Sequence, residues 1–159
     1  MTNLVITIIC IALAVVVASM GAIYVNPAVF KAKEYRHEIE AGFAKLKVGY
    51  DLYLMYNGEK SDPTGAWQDQ LNSVRGPAIG GNTVPSSVQG GFDWSYNNVG
   101  NRYYFCISGD YNKSAMMGFV RAQSNIKSDY IYINSACAAT TDNTSITTGT
   151  IAMTCWLSK

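Results

Sequence analysis

The first thirty residues contain no Asp, Glu, Lys or Arg; the first charge is Lys31. From Leu4 to Val25 the chain is almost wholly apolar. A run of about 20 apolar residues is what a helix needs to cross the roughly 30 Å hydrocarbon core of a bilayer. The missing charge therefore makes this stretch suited to span a membrane. An excess of one charge sign is also missing. Twelve Lys and Arg against eleven Asp and Glu leave a net charge of +1, which provides no basic field for gripping phosphate backbones, so nucleic-acid binding is not indicated. Histidine is nearly absent: His37 stands alone, with no Ser or Cys motif beside it, and lacks the partners of a catalytic base or metal ligand. Gly80 and Gly81 are not followed by Gly-Lys-Ser/Thr and form no phosphate loop. With no metal-ligand cluster, nucleophile elbow or paired-carboxylate motif, nothing argues for an enzyme, a cofactor or a metal.

What is present divides the chain into an apolar helix over residues 1–27, an amphipathic helix over 28–57 and a β-rich globular domain over 58–159. In the middle part Ile39, Phe43, Leu46, Tyr50 and Tyr53 recur at three or four residues, a stripe down one helix face. The simplest expectation joins the first two parts into one rod of about 54 residues, roughly 80 Å long, which Pro27 kinks or locally opens without ending. Ala14, Ala18 and Ala22 repeat at the spacing that lets membrane helices approach closely. Lys31, Lys33, Glu34, Arg36, Glu38, Glu40, Lys45, Lys47 and Asp51 mix both signs along the second half. They read as a solvated face that in a filament is able to pair between subunits.

Gly58 is the expected helix stop. An irregular connection follows to residue 91, with one short helix placing Trp67, Leu71 and Val74 on a shared face and Trp67 as its anchor. From Phe92 the period changes to two. Phe92, Trp94 and Tyr96 alternate with polar residues, residues 97–101 supply turn chemistry, and Arg102 to Ser108 returns as the partner strand. Lys113 to Ser124 is expected as a helix burying Met116, Met117 and Val120, followed by strands over Asp129–Asn134 and Gly149–Leu157. Four strands closed by the amphipathic stripe give an α+β fold, a long N-terminal helix packed on a small antiparallel sheet. Asn112-Lys-Ser114 and Asn143-Thr-Ser145 match the N-glycosylation pattern, a frequent chance match in an Asn- and Thr-rich chain. The small, polar run from Ala138 to Thr148 reads as an exposed loop and is the first place to look for a bound glycan or receptor.

Cys106, Cys137 and Cys155 lie in the domain and Cys10 in the apolar run. One disulfide within the domain leaves one thiol over. The preferred pair is Cys137 with Cys155, closing a modest loop onto the last strand, with Cys106 to either partner left open. A Gly-, Ser-, Thr-, Asn- and Tyr-rich, charge-poor domain suits an extracytoplasmic compartment. The positive charges C-terminal to the apolar run point the other way, a conflict that an absent basic leader resolves.

A bare apolar N-terminus, a breaker region from Gly21 to Pro27 leading into an amphipathic half, a Gly-rich connection, an antiparallel sheet and a cysteine near the C-terminus together resemble a mature type IV pilin. The resemblance covers the whole chain in layout. Members usually carry glutamate at the fifth mature position, thought to pair with a neighbour's N-terminal amine; that place here holds Val5. The start at Met1 is shared with some of the type IVb group. The resemblance implies a leader removed by a prepilin peptidase, methylation at Met1, a membrane-held stage before assembly machinery acts, and an extracellular homopolymer. Its core would be Leu4, Val5, Ile8, Ile9, Leu13, Val16, Val17 and Ile23, with lipid exchanged for neighbouring subunits. The alternatives are a single-pass, membrane-anchored binding domain using its Tyr and Trp side chains, and a pseudopilin of a secretion system.

Overall fold

The computed structural model describes residues 7–15, 26–58, 61–74, 84–126 and 128–157. Within them α1 covers residues 7–15, and α2 (Pro27–Asn57), α3 (Trp67–Ser73) and α4 (Lys113–Ile126) follow. The strands are β1 (Ser87–Val88), β2 (Phe92–Val99), β3 (Arg102–Asp110), β4 (Ile131–Asn134) and β5 (Thr150–Trp156). They form one sheet in the order β1-β2-β3-β5-β4, antiparallel throughout. The architecture is α+β, with a long helix lying on a small antiparallel sheet.

α2 has a defined beginning. Asn26 is extended (ψ 107°) and its Oδ1 accepts the Ala28 N–H at 3.0 Å, while Pro27 takes the first helical position, where its missing N–H costs nothing. The expected rod running through Pro27 is therefore corrected at this point: α2 begins at Pro27, capped by Asn26, and does not run through it. Gly21, the other expected breaker, lies outside the described residues. At the far end Gly58, at φ 91°, donates its N–H to the Leu54 carbonyl at 2.8 Å and stops the helix.

The amphipathic stripe does close the sheet. Ile39, Leu46 and Tyr50 are buried, and Phe43 and Tyr53 pack partly exposed against the same core, which also takes Phe92, Phe105, Ile107, Ile133, Ile151 and Met153 from the strands. α4 lies directly on α2 through a face of small residues. Ala115, Gly118 and Ala122 are buried with Met116 and Phe119. A Cβ on Gly118 would stand 2.6 Å from Cβ of Tyr35 and 3.0 Å from the Ala32 carbonyl oxygen, so only glycine permits this approach. The helix expected over 113–124 is present, but Val120 faces solvent and Met117 is only half-buried. Met116 is buried as expected, and the small residues, rather than Met117 and Val120, complete the inner face.

The β2–β3 hairpin has Val99 paired with Arg102, so the loop is Gly100-Asn101, with Gly100 at φ 60°. The fifth strand, β1, is two residues long, too short to show a period. β3 and β5 are buried on both faces. Phe105, Ile107, Met153 and Cys155 turn toward the helices; Tyr104, Cys106, Ala152 and Trp156 form a second cluster on the other side, with Cys137 and Ala138 over it. That division decides the disulfide. Cys106 bonds to Cys137, and the expected Cys137–Cys155 pair is corrected: Cys155 is a buried free thiol on the opposite face of the sheet, out of reach of the Cys137 loop. The bond holds the loop following β4 over the sheet, helped by Trp156 Nε1, which donates to the Ala139 carbonyl at 2.7 Å.

Both glycosylation matches have local structural work. Asn112 Oδ1 accepts the Ala115 N–H at 2.7 Å as the cap of α4, and Asn143 Oδ1 accepts the Ser145 N–H at 3.1 Å. The loop over 138–148 is largely exposed, as expected, but it is pinned by Ile146, which enters the core, and by Asp142, which accepts from Gln123 Nε2 and the Ile133 N–H at 2.8 Å each.

Candidate assembly surface

α1 exposes nearly everything it has. Ile8, Ile9, Ile11, Leu13 and Val15 are between 53% and 62% exposed, and Cys10 is an exposed thiol. A helix apolar all round is at rest only inside a protein assembly or a membrane. Of the expected filament-core residues, the structure places Ile8, Ile9 and Leu13 on this segment; Met1, Leu4, Val5, Val16, Val17 and Ile23 lie outside the described residues. Among the described residues no helix is long and apolar enough to cross a membrane, and the expected span from Leu4 to Val25 falls largely outside them. Val29 and Phe30, in the first turn of α2, are exposed as well.

Three of the charges along α2, Arg36, Glu38 and Glu40, have partners. Glu38 accepts the Gln89 N–H at 2.9 Å and Glu40 accepts from Asn125 Nδ2 at 2.7 Å, tying α2 to the segment before β2 and to the end of α4. Arg36 lies 3.6 Å from Glu40 and its Nη2 is 3.1 Å from His37 Nε2, so the lone histidine belongs to this exposed network. These ties join residues 51 and 85 positions apart. Local spacing carries no signal for them.

The other concentration of polar chemistry lies where the 58–91 connection meets the sheet. Trp67 packs on Tyr96 and Phe105 at ring-centroid distances of 6.2 and 5.7 Å, which is the anchoring expected of it. Tyr50 packs on the same two rings at 5.9 and 6.0 Å. Tyr96 Oη donates to Asp62 Oδ1 at 3.4 Å. Burial raises the phenols of Tyr50 and Tyr96 above their ordinary value, and the hydrogen bond to Asp62 raises Tyr103. Protonated tyrosines around one carboxylate staple a connection to a core. Among the described residues no group of His, Cys, Asp and Glu converges as metal ligands would. Asp93 and Asp110 are both exposed; Asp93 pairs with Ser87 and Ser108 and Asp110 with Thr150, so the register sets Asp110 two residues along β3 from the partner of Asp93. No protein-family model, curated protein or solved structure matches the chain.

Proposed function

We propose that this chain is a structural subunit that polymerises through its N-terminal helix into an extracellular filament resembling a type IV pilus. The observation that carries the reading is the uncovered apolar surface of α1, Ile8, Ile9, Ile11, Leu13 and Val15, in a chain whose α2 and sheet already form a closed core. Fully burying five such side chains is worth roughly 7–15 kcal/mol. Association costs about 4–15 kcal/mol in lost translational and rotational freedom. The two are comparable, so the segment assembles where several neighbours cover it at once, as in the centre of a helical bundle. Before assembly, lipid supplies the cover. The Cys106–Cys137 disulfide supports an oxidising compartment outside the cytoplasm.

Electron microscopy of the sheared extracellular fraction, with intact-mass analysis of the subunit in it, tests the proposal. The expected result is thin filaments of a subunit lighter by two hydrogens for one disulfide and heavier by one methyl group at Met1. Recovery only as a membrane-bound monomer would overturn the filament and favour an anchored binding domain.

A further inference from the structure

β4 lies at an edge of the sheet, with β5 on one side of it. On its other side the backbone is covered. The Ile133 N–H donates to Asp142 Oδ1 at 2.8 Å, the Ile133 carbonyl accepts the Asn143 N–H at 2.7 Å, and the Ile131 carbonyl accepts from Gln123 Nε2 at 2.8 Å. Ile131-Tyr132-Ile133-Asn134 contains no charge, Pro or Gly, so without its cover it is a template for pairing with another chain. The cover is the connection over residues 135–149. It starts on the outer face of the sheet, where Cys137 and Ala138 lie over Cys106 and Trp156, crosses the edge at Asp142 and Asn143, and reaches the helix side, where Ile146 enters the core.

Two observations mark the outer-face end as the fastening of this strap. Ala138, directly after Cys137, has φ 65° and is the one non-glycine among the described residues in the left-handed region, which the Cβ of an L-residue disfavours. Thr154, fully buried, links bond and strap: its hydroxyl reaches Cys106 Sγ at 4.0 Å and accepts the Ala139 N–H at 3.3 Å. We propose that the Cys106–Cys137 bond is a redox latch on the strap: a dithiol that reduces it frees the strap, opens the β4 edge and lets two copies pair antiparallel through β4. Without the bond, residues 135–141 are held by hydrogen bonds to Asn134, Thr154 and Trp156, against the entropy of ordering the segment and the conformation of Ala138. Asp142 and Asn143 come next and are exposed, so water competes for their bonds to β4. In the reduction, a thiolate of the dithiol attacks Cys137 Sγ, the partly exposed end of the bond; the S–S bond breaks and Cys106 leaves as a thiolate that takes up a proton. The second sulfur of the dithiol then displaces Cys137, leaving two thiols on the chain and a disulfide in the reductant. Two β4 strands related by a twofold axis offer each other the same Ile133 N–H and carbonyl, so the open edge is self-complementary. The latch does not rest on polymerisation through α1.

Hydrogen exchange at the Ile133 amide, read by NMR on the detergent-solubilised full chain, tests the latch. The oxidised protein is expected to protect this amide at every protein concentration. With dithiothreitol, and equally in Cys106→Ser with Cys137→Ser, its protection should fall about tenfold or more in dilute protein while the β2–β3 hairpin stays protected. Protection should return as the protein is concentrated. Unchanged protection on reduction would overturn the latch, as would loss of hairpin protection in step with Ile133, because the bond would then hold the whole domain and not the strap. Protection lost and not regained on concentration would overturn the pairing. Asp142→Ala, with the bond intact, removes the carboxylate that covers the Ile133 N–H, and the same concentration-dependent protection is expected. Full protection of Ile133 in dilute Asp142→Ala protein would show that the strap does not close the edge.

Discussion

Cys106 and Cys155 lie in paired strands, yet one is bonded and the other sealed, because the register sets Cys106 opposite Thr154 and Cys155 opposite Phe105. Burial pushes the Cys155 thiol well above its ordinary range, so neither exposure nor thiolate is available for reaction. Alkylation of the folded, unreduced protein should leave Cys155 untouched until denaturant is added, which mass spectrometry reads directly. Replacing Cys106 and Cys137 together by Ser opens a loop of sequence separation 31. The expected cost is about 3–4 kcal/mol, measured as a lower denaturant midpoint. Tyr50 and Tyr96 set a pH limit. Their folded pKa values are raised above the ordinary 10.0, first by desolvation. The folded state therefore keeps protons that the unfolded chain releases, so their stabilisation is complete below about pH 10 and declines as pH climbs beyond it. Denaturation midpoints should fall with a steeper slope above that pH in the native protein than in Tyr96→Phe; equal slopes would remove Tyr96 from the account.

At the scale of elements, α4 depends on α2 through Gly118. Gly118→Ala gains roughly 1 kcal/mol of helix propensity. Against that, its Cβ meets the Tyr35 side chain and the Ala32 carbonyl, an overpacking that costs about 1–3 kcal/mol. The net expectation is a lower Tm, and a larger drop for Gly118→Val; a rise with Ala would show that the two helices separate easily. This contact also marks how far the sequence could be read. The stripe on α2, the Gly58 stop, the Trp67 anchor and the β2–β3 hairpin were legible because each is written in residues a few positions apart, where period and turn chemistry operate. On the inner face of α4 Met116 was legible but Met117 and Val120 were misread, because Met and Val promise burial by type, whereas helix-on-helix approach here is limited by distance and selects Ala and Gly. The disulfide was misread for a related reason. Closing a modest loop is a statement about chain length, but which face of a central strand a cysteine occupies follows from register across strands. β1 and the Glu38 and Glu40 ties depend equally on partners far away in sequence. Of the candidate assembly surface, the apolar composition of α1 was evident from the absence of charge, while the start of α2 at Pro27 was not, since Pro27 alone fits both a kinked helix and a new one.

For the whole molecule, the division of labour along the chain predicts that folding and assembly can be separated. The core is closed by α2, α4 and the sheet, with no described residue of α1 in it. Ile9→Asp together with Leu13→Asp introduces two carboxylates onto a helix whose every neighbour in a filament, or in lipid before it, is apolar. Burying even one unpaired carboxylate there costs several kcal/mol, against roughly 1.5–3 kcal/mol gained by each side chain it replaces. Filaments should therefore be lost from the sheared fraction, while the thermal transition of the detergent-solubilised protein stays within about 1–2 °C of the unaltered chain. Gly118→Val should do the reverse, lowering the transition first and reducing filaments only as far as less folded subunit is available. If the α1 double variant lowered the transition as much as the Gly118 variant, α1 would have to contribute to the domain's own core, and its exposed apolar surface would no longer argue for a polymer.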